Sequence, residues 1–304
     1  MGTNNPKVSI IVINWNGKED TAKCLDSLRQ LNYPDFDVIV VDNASSDSSV
    51  EYLKKEHPDV TYIENDFNSG WTGGNNIGAK HAIAGGAEYI LTLNNDVILD
   101  KDLLKQLVDI AESDRSIGFV GPKIYYYDKP TIIYSAGLHI NYNCLFPFGV
   151  RKGKTDKGQF SKIEEVNWID DIVLLIRRDV IEKIGLYDED YFMYVEETDL
   201  CYRAQKAGFK IVFNPKAIAW HRGAASSGSG FNPFVAYYKI RNRILFVRKN
   251  LPAYWLIGIS LHILLFVLFQ TIKSLLTGRL EVISAMTRGI AWHIKNLKLD
   301  KEVK

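Results

Sequence analysis

Cysteine is scarce. Cys24, Cys144 and Cys201 are the only three in 304 residues, and their spacing matches no metal-binding pattern. Cys24 and Cys201 fall in helical patterns, where buried reduced thiols are the simple expectation. The charged-then-apolar pattern of a signal peptide is also lacking over Met1–Val8, so no leader is expected there. Met1-Gly2 begins as a myristoylation site does, but Pro6 stands where Ser or Thr belongs. The catalytic part is therefore expected in the cytoplasm. The Gly- and Asn-rich stretch Asn68–Gly78 lacks the Gly-Lys-Ser/Thr ending of a Walker loop. Low polarity and high polarity are both missing: 46% apolar and 24% charged residues are globular values, so disorder is not expected.

An excess of one charge is absent overall, since the net charge is +1, but the two parts of the chain differ. Residues 239–304 hold 12 basic and 3 acidic residues, a net of +9, whereas residues 1–238 hold 25 and 33, a net of −8. A basic tail on an acidic body points to an anionic surface as partner. The basic residues flank an apolar stretch and form no polar stripe, so nucleic acid is not expected. The division predicts a catalytic domain over 1–238 and a basic, hydrophobic helical segment over 239–304 that associates with membrane.

The first 120 residues alternate β-rich runs with helical patterns. Strands are predicted at Val8–Asn14, Asp37–Asp42, Val60–Glu64, Tyr89–Leu93 and Gly118–Gly121, and helices around Asp20–Gln30, Ser48–Glu56, Gly74–Ala84 and Asp102–Glu112. This rhythm implies an α/β fold with right-handed crossovers and a mostly parallel sheet, with ligands at the strands' carboxyl ends. Residues 122–167 are irregular, and loop or hairpin stays open for them. Further on, Ile172–Arg177 reads as a strand, Arg178–Ile184 and Thr198–Ala207 as helices, and Lys210–Phe213 as a strand. Gly223–Gly230 reads as a loop, with a lid over the site as a hypothesis. Ala253–Ile272 carries no formal charge over 20 residues, about the length of a bilayer crossing. Basic residues flank both of its ends, and Glu281–Leu297 reads as a second, amphipathic helix. An in-plane or re-entrant hairpin at the membrane is favoured over one span; a buried helix pair, packed on the domain or in a homo-oligomer, is the third reading.

Leu93-Asn94-Asn95-Asp96 is the most informative segment. An acidic residue just past a buried strand can hold a divalent cation against a diphosphate, although Asn-Asp after a strand is by itself ordinary turn chemistry. Asp42 likewise ends a strand; its carboxylate can accept from a pyrimidine N3–H or a ribose, or form an Asx turn before the next helix, for which Ser46 and Asp47 are good caps. Asn68–Gly78 is rich in Gly and Asn before a helical pattern, where free N–H groups can approach an anion or a sugar hydroxyl. Glu196 and Glu197 open a helix that carries Asp199 and Arg203; general-base work and simple complementation of the helix dipole are both open to them.

Together these motifs carry a resemblance. Asn14-Trp15-Asn16-Gly17, Val41-Asp42-Asn43-Ala44-Ser45-Ser46-Asp47, Asn68–Gly78, Leu93–Asp96 and Phe192–Leu200 followed by Arg203 resemble glycosyltransferase family 2, its rhamnosyltransferase-like branch in particular, over residues 7 to about 250. The resemblance implies a GT-A-type nucleotide-sugar fold and inverting, metal-dependent transfer with Mn²⁺ or Mg²⁺. It implies a uridine- or thymidine-type base at Asp42, with backbone contacts from Ile13 and Asn14, and a donor loop containing Gly73 and Asn75. Asp96 becomes a metal ligand, with His221 beside the metal or diphosphate. Asn94 stands where the family carries an acidic residue and is left to bond ribose or a metal-bound water, with Asn95 beside it. Glu197 matches the family's base position, occupied there by Asp, with Glu196 in reserve; Asp199 and Arg203 organise the site. Trp168, Asp170 and Asp171 fill a region where relatives often carry a small Gly-Ala pair, and point to contacts with sugar hydroxyls or a sugar ring. Arg241 or Arg243 would meet the donor diphosphate or a lipid-linked acceptor phosphate. The implied reaction moves a sugar, rhamnose from dTDP-rhamnose, to a cell-surface glycan or lipid-linked acceptor at the inner membrane face. The alternatives are a UDP-hexose or UDP-N-acetylhexosamine transferase, a sugar nucleotidyltransferase, and a non-catalytic sugar- or membrane-binding module.

Overall fold

The computed structural model describes residues 5–142, 145–148, 151–223, 230–252 and 254–296. The first part alternates as predicted: β1 (Val8–Asn14), α1 (Lys18–Leu28), β2 (Phe36–Asp42), α2 (Ser49–Glu56), β3 (Thr61–Glu64), α3 (Gly70–Ala84) and β4 (Tyr89–Asn94). There follow β5 (Val97–Leu99), α4 (Leu103–Ser113), β6 (Ile117–Tyr126), β7 (Lys129–Ser135), β8 (His139–Asn141), β9 (Phe146–Phe148), β10 (Glu164–Val166), β11 (Val173–Arg177), α5 (Arg178–Ile184), α6 (Glu196–Lys206) and β12 (Lys210–His221). Three helices end the described chain: α7 (Pro233–Asn250), α8 (Trp255–Leu276) and α9 (Leu280–Lys295).

β3, β2, β1 and β4 run parallel in that order. β11 is antiparallel to both β4 and β6, and β12 runs parallel to β6. The full order is β10-β12-β6-β11-β4-β1-β2-β3, with β5 on β12 and β7 on β6. Strand order reverses between β1 and β4, the place where open α/β sheets bind ligands.

Every residue of β1 is buried, because helices cover both faces. Its period-2 alternation divides it between two cores. Val8, Ile10 and Val12 pack with Leu25 and Leu28 of α1 and Leu104 and Leu107 of α4. Ile11 and Ile13 pack with Trp71, Ala79 and Ala82 of α3. Fully burying each such side chain contributes about 1.5–3 kcal/mol. A third core joins α7 and α9 to Tyr191.

Two element boundaries shift, one stretch left open takes hairpin form in part, and one expected division lies within a helix. The strand expected to stop at Phe213 continues to His221, because a register shift between Asn214 and Ile218 accommodates Pro215. Residues 122–167 form β-structure in part: β7 returns along β6, and β8 pairs with β9. α3 begins at Gly70 rather than Gly74. The division expected at 238/239 falls inside α7, which starts where Asn232 Oδ1 accepts from Val235 N at 2.9 Å with Pro233 at the first turn.

Among the described residues, no helix is long and apolar enough to cross a membrane. α8 buries Ile263 and Ser274 and leaves Leu264, Leu265, Leu268, Phe269, Ile272 and Leu275 exposed. Cys144 and most of the expected Gly/Ser loop, residues 224–229, lie outside the described residues.

Candidate active site

The carboxyl ends of β1 and β2 meet in register, Asn14 opposite Asp42. Asn14 Nδ2 donates to Asp42 Oδ2 at 2.6 Å, and Asn14 Oδ1 accepts from Thr21 Oγ1 at 2.7 Å. Ser45 closes the Asx turn, its N–H on Asp42 Oδ1 at 2.8 Å and its hydroxyl on Oδ2 at 2.6 Å. Asp42 is 3% exposed, and both of its oxygens serve the fold. It does not line the cavity described below, and neither does Asn14; of this group Ile13 does.

The start of α3 is occupied by protein. Gly70 has φ +72°, and a Cβ there would lie 2.5 Å from the Phe192 carbonyl oxygen. That oxygen accepts from Trp71 N at 2.9 Å and Thr72 N at 3.3 Å. The N–H groups expected to be free for an anion are thus spent on a loop 120 residues further along the chain. Gly73 packs on Ser69. Asn75 is buried and donates to Trp71 O at 2.9 Å. Neither lines the cavity.

Across the switch point opens a cavity of about 570 Å³. Ile13, Asn94, Asn95, Asp96, Trp168, Asp170, Asp171, Glu196, Glu197, His221 and Arg243 all line it. Asn95 is tied to α1 by its amide on Thr21 Oγ1 at 2.9 Å. β12 carries His221 to the register position of Val97, which brings His221 Nε2 to 3.0 Å from Asp96 Oδ1. Both side chains are 5% exposed. Tyr134 meets the imidazole edge-on at 4.5 Å. His221 Nδ1 is buried without a hydrogen-bond partner. Asp96 Oδ1 and His221 Nε2, 3.0 Å apart, with Asn94 lining the same cavity, are the oxygen and imidazole ligand types that Mg²⁺ or Mn²⁺ takes.

The opposite character appears at the entry to α6. Asp171, Glu196 and Glu197 each bring an oxygen within 4.8 Å of the others, a group that could also hold a cation. Asp171 accepts from Trp71 Nε1 at 2.6 Å. Burial, then the neighbouring carboxylates, hold Asp171 and Glu196 well above the usual carboxyl range. Burial and the charge of Asp170 push Glu197 up to about 7. Burial also raises Asp170. Thr198 Oγ1 donates to Glu197 Oε1 at 3.2 Å and accepts from Trp168 Nε1 at 3.0 Å, so the Trp168 indole N–H orients the helix start while the side chain lines the cavity. Glu196 Oε2 is buried without a partner. Leading into this group, Phe192, Tyr194 and Val195 have φ of 65°, 69° and 72°. For non-glycine residues each such conformation costs about 1–3 kcal/mol, and they concentrate at functional sites.

Three cations that the sequence did not single out, Arg151, Lys152 and Lys239, join Arg243 in the cavity. Burial lowers the pKa of Lys152, Lys239 and Arg243. Lys239 and Arg243 are four apart on α7, a same-face spacing that was available in the sequence; Lys152 sits in the irregular region and gave no signal. Arg241 faces away: Nη2 donates to the carbonyls of Asp190 and, at 2.9 Å, Tyr191. It is a brace, and its guanidinium is not placed for a diphosphate. Asp199 and Arg203 also brace. They pair at 2.6 Å, Arg203 donates to Ile184 O and Leu186 O at 2.8 and 2.7 Å, and Asp199 accepts from Asn250 Nδ2 at 2.7 Å. Neither lines the cavity, and Asp199, 2% exposed, makes this a buried pair.

A model of Glycosyl transferase family 2 matches residues 9–185, more than half of the chain. The low-salt glycan biosynthesis hexosyltransferase Agl10 of Haloferax volcanii is 26% identical over 245 residues, covering 78% of this chain and 74% of its own. The N-acetylglucosaminyl-diphospho-decaprenol L-rhamnosyltransferase of Mycobacterium tuberculosis is 27% identical over 240 residues, covering 72% and 77%. Among solved structures, the mannosyltransferase PcManGT from Pyrobaculum calidifontis, in complex with GDP-Man and Mn²⁺, superposes with a TM-score of 0.58 at 16% identity, over 96% of this chain and 76% of that one. That likeness concerns the GT-A fold.

Proposed function

We propose, for a chain that belongs to glycosyl transferase family 2, that it transfers a sugar from a nucleoside diphosphate to an acceptor alcohol in one inverting displacement. The observation that carries this reading is the shared cavity: Glu197, with its pKa near 7, and the Asp96–His221 pair line the same walls. A carboxylate titrating near neutrality is matched to taking the acceptor hydroxyl's proton as that oxygen attacks the anomeric carbon. Asp96 and His221 would hold Mn²⁺ or Mg²⁺, which when bound neutralises the departing diphosphate. Asn94 and Asp170 offer polar contacts to the donor's ribose and sugar, and Trp168 offers an apolar surface for a ring. Lys239 and Arg243 are fixed cations for a phosphate of the donor or of a lipid-linked acceptor.

The favoured donor is dTDP-rhamnose, supported by the similarity to the named L-rhamnosyltransferase. A UDP-hexose or UDP-N-acetylhexosamine is the second reading, supported by the hexosyltransferase relative. The exposed apolar face of α8, with Lys273 and Arg279 beside it, would rest on an anionic membrane at its cytoplasmic side.

The test is donor hydrolysis across dTDP-rhamnose, UDP-hexoses and UDP-N-acetylhexosamines with Mn²⁺ or Mg²⁺. One donor should be turned over, and chelation and Asp96→Ala should each cut the rate by about 100-fold or more. Turnover that survives both defeats the metal assignment. Pyrophosphate release from a nucleoside triphosphate and a sugar phosphate would instead identify a nucleotidyltransferase.

A further inference from the structure

Three of the four residues before Glu196 and Glu197, namely Phe192, Tyr194 and Val195, are left-handed. Such a backbone persists only where its surroundings over-determine it. Much of what surrounds it comes from α7. Asn242 is fully buried. Its Nδ2 lies 2.9 Å from Tyr191 O, 2.8 Å from Met193 O and 2.7 Å from Tyr194 O. Only the NH₂ end of an amide can face three carbonyls, so the orientation is determined, with two N–H donors shared among three acceptors. Asn242 Oδ1 in turn accepts from Arg241 Nε at 2.8 Å. Arg241 reaches the carbonyls of Asp190 and Tyr191, and Lys249 pairs with Asp188 and Asp190 at 2.5 and 2.6 Å. From the other side, α3 donates to Phe192 O. α9 backs the arrangement, with His293 Nε2 2.8 Å from Arg241 O.

We propose that Asn242, fastened by Arg241, is a positioning residue for the carboxylates of α6: its amide fixes the Tyr191–Val195 backbone in the conformation that delivers Glu197 into the cavity. Neither Asn242 nor Arg241 lines that cavity, so they act through the loop alone. The proposal rests on Glu197 as the base. Removing the amide leaves buried carbonyls without a donor and frees the left-handed residues to relax. A base displaced by about 1 Å loses on the order of 100-fold in rate.

The experiment uses the full chain and the nucleotide sugar that the wild type hydrolyses. Asn242→Ala should lower kcat by about 100-fold while donor KM stays within about threefold. Asn242→Ala combined with Glu197→Gln should be no slower than Glu197→Gln alone, because both changes remove the same group's action. A lowered Tm with unchanged kcat overturns the proposal, as does a double variant whose loss is the product of the single losses. Full activity in Glu197→Gln sinks the base reading itself, a result separate from the first two. Should Asn242→Ala fail to fold, Arg241→Lys keeps the cation and loses the guanidinium's separate Nε and Nη2 contacts; a fall in kcat at constant KM supports the assignment, and an unchanged kcat overturns it.

Discussion

The ends of β1 and β2 and the entry to α6 border one cavity region and are built in opposite ways. Around β1 and β2 the polar groups answer one another: Asp42 takes Asn14 and Ser45, and Asn14 takes Thr21. At α6 carboxylates crowd together and Glu196 Oε2 lacks a partner, while left-handed residues stand beside both regions, Asn16 and Ala44 at the first and Phe192, Tyr194 and Val195 at the second. The first region is settled and holds shape; the second keeps its tension and is held in place by other elements. Local disagreement with the rules of stable folding marks where a protein does chemistry.

The largest break in this comparison comes from Glu197→Gln. Transfer should fall by about 1,000-fold, roughly 4 kcal/mol in the barrier, with nucleoside diphosphate affinity kept; steady-state kinetics beside calorimetric titration read both. In the wild type, kcat/KM should decline as pH falls below about 7, where Glu197 takes up its proton. A pH profile flat from about 5 to about 8, a window that brackets a titration near 7, would remove Glu197 from the role.

Asp42→Ala acts in the settled region and should act on stability. Two side-chain donors and one backbone N–H lose their acceptor, at about 1–3 kcal/mol in denaturant unfolding. A nucleotide affinity that collapses while stability holds would show that Asp42 serves the ligand more than the fold.

The smallest effect sharpens the contrast. Glu197 has a folded pKa above its ordinary value, so its stabilising contribution is complete below the ordinary carboxyl range and is lost as pH rises through about 7. Glu197→Gln removes that loss. The variant should gain on the order of 1 kcal/mol over the wild type at pH 8 and nothing at pH 4, seen as a Tm difference that appears only on the alkaline side. Equal Tm differences at both pH values would contradict the burial of this charge.

Legibility divides along the same line. β1 was legible residue for residue, Val8–Asn14, because a run buried on both faces needs no partner to be identified. The Asp96 and Glu197 positions were legible from their motifs. Two arginines show where legibility ended: Arg241 and Arg243 lie two apart, roughly 200° around a helix, so one had to face the loop and the other the cavity. Only the packing of α7 decided which. His221 was found by resemblance, but its arrival on a strand was hidden by Pro215, which a bulge absorbs. The free N–H groups expected at the start of α3 were not legible as taken, because their acceptor, Phe192 O, lies far along the chain; Asn68, Gly70 and Trp71 of that loop still line the cavity.

The sequence by itself determined the alternation of strand and helix, the family and the acidic residues at the strand end and the helix start. These depend on residue type and short-range period, which a linear chain displays. Tertiary structure alone decided which polar atoms are already spoken for: that Asp42 turns inward, that Lys152 and Lys239 reach the cavity and that α7 holds the loop before Glu196. Hydrogen-bond partners and buried charges are set by distances in space, and the chain reveals those only once it is folded.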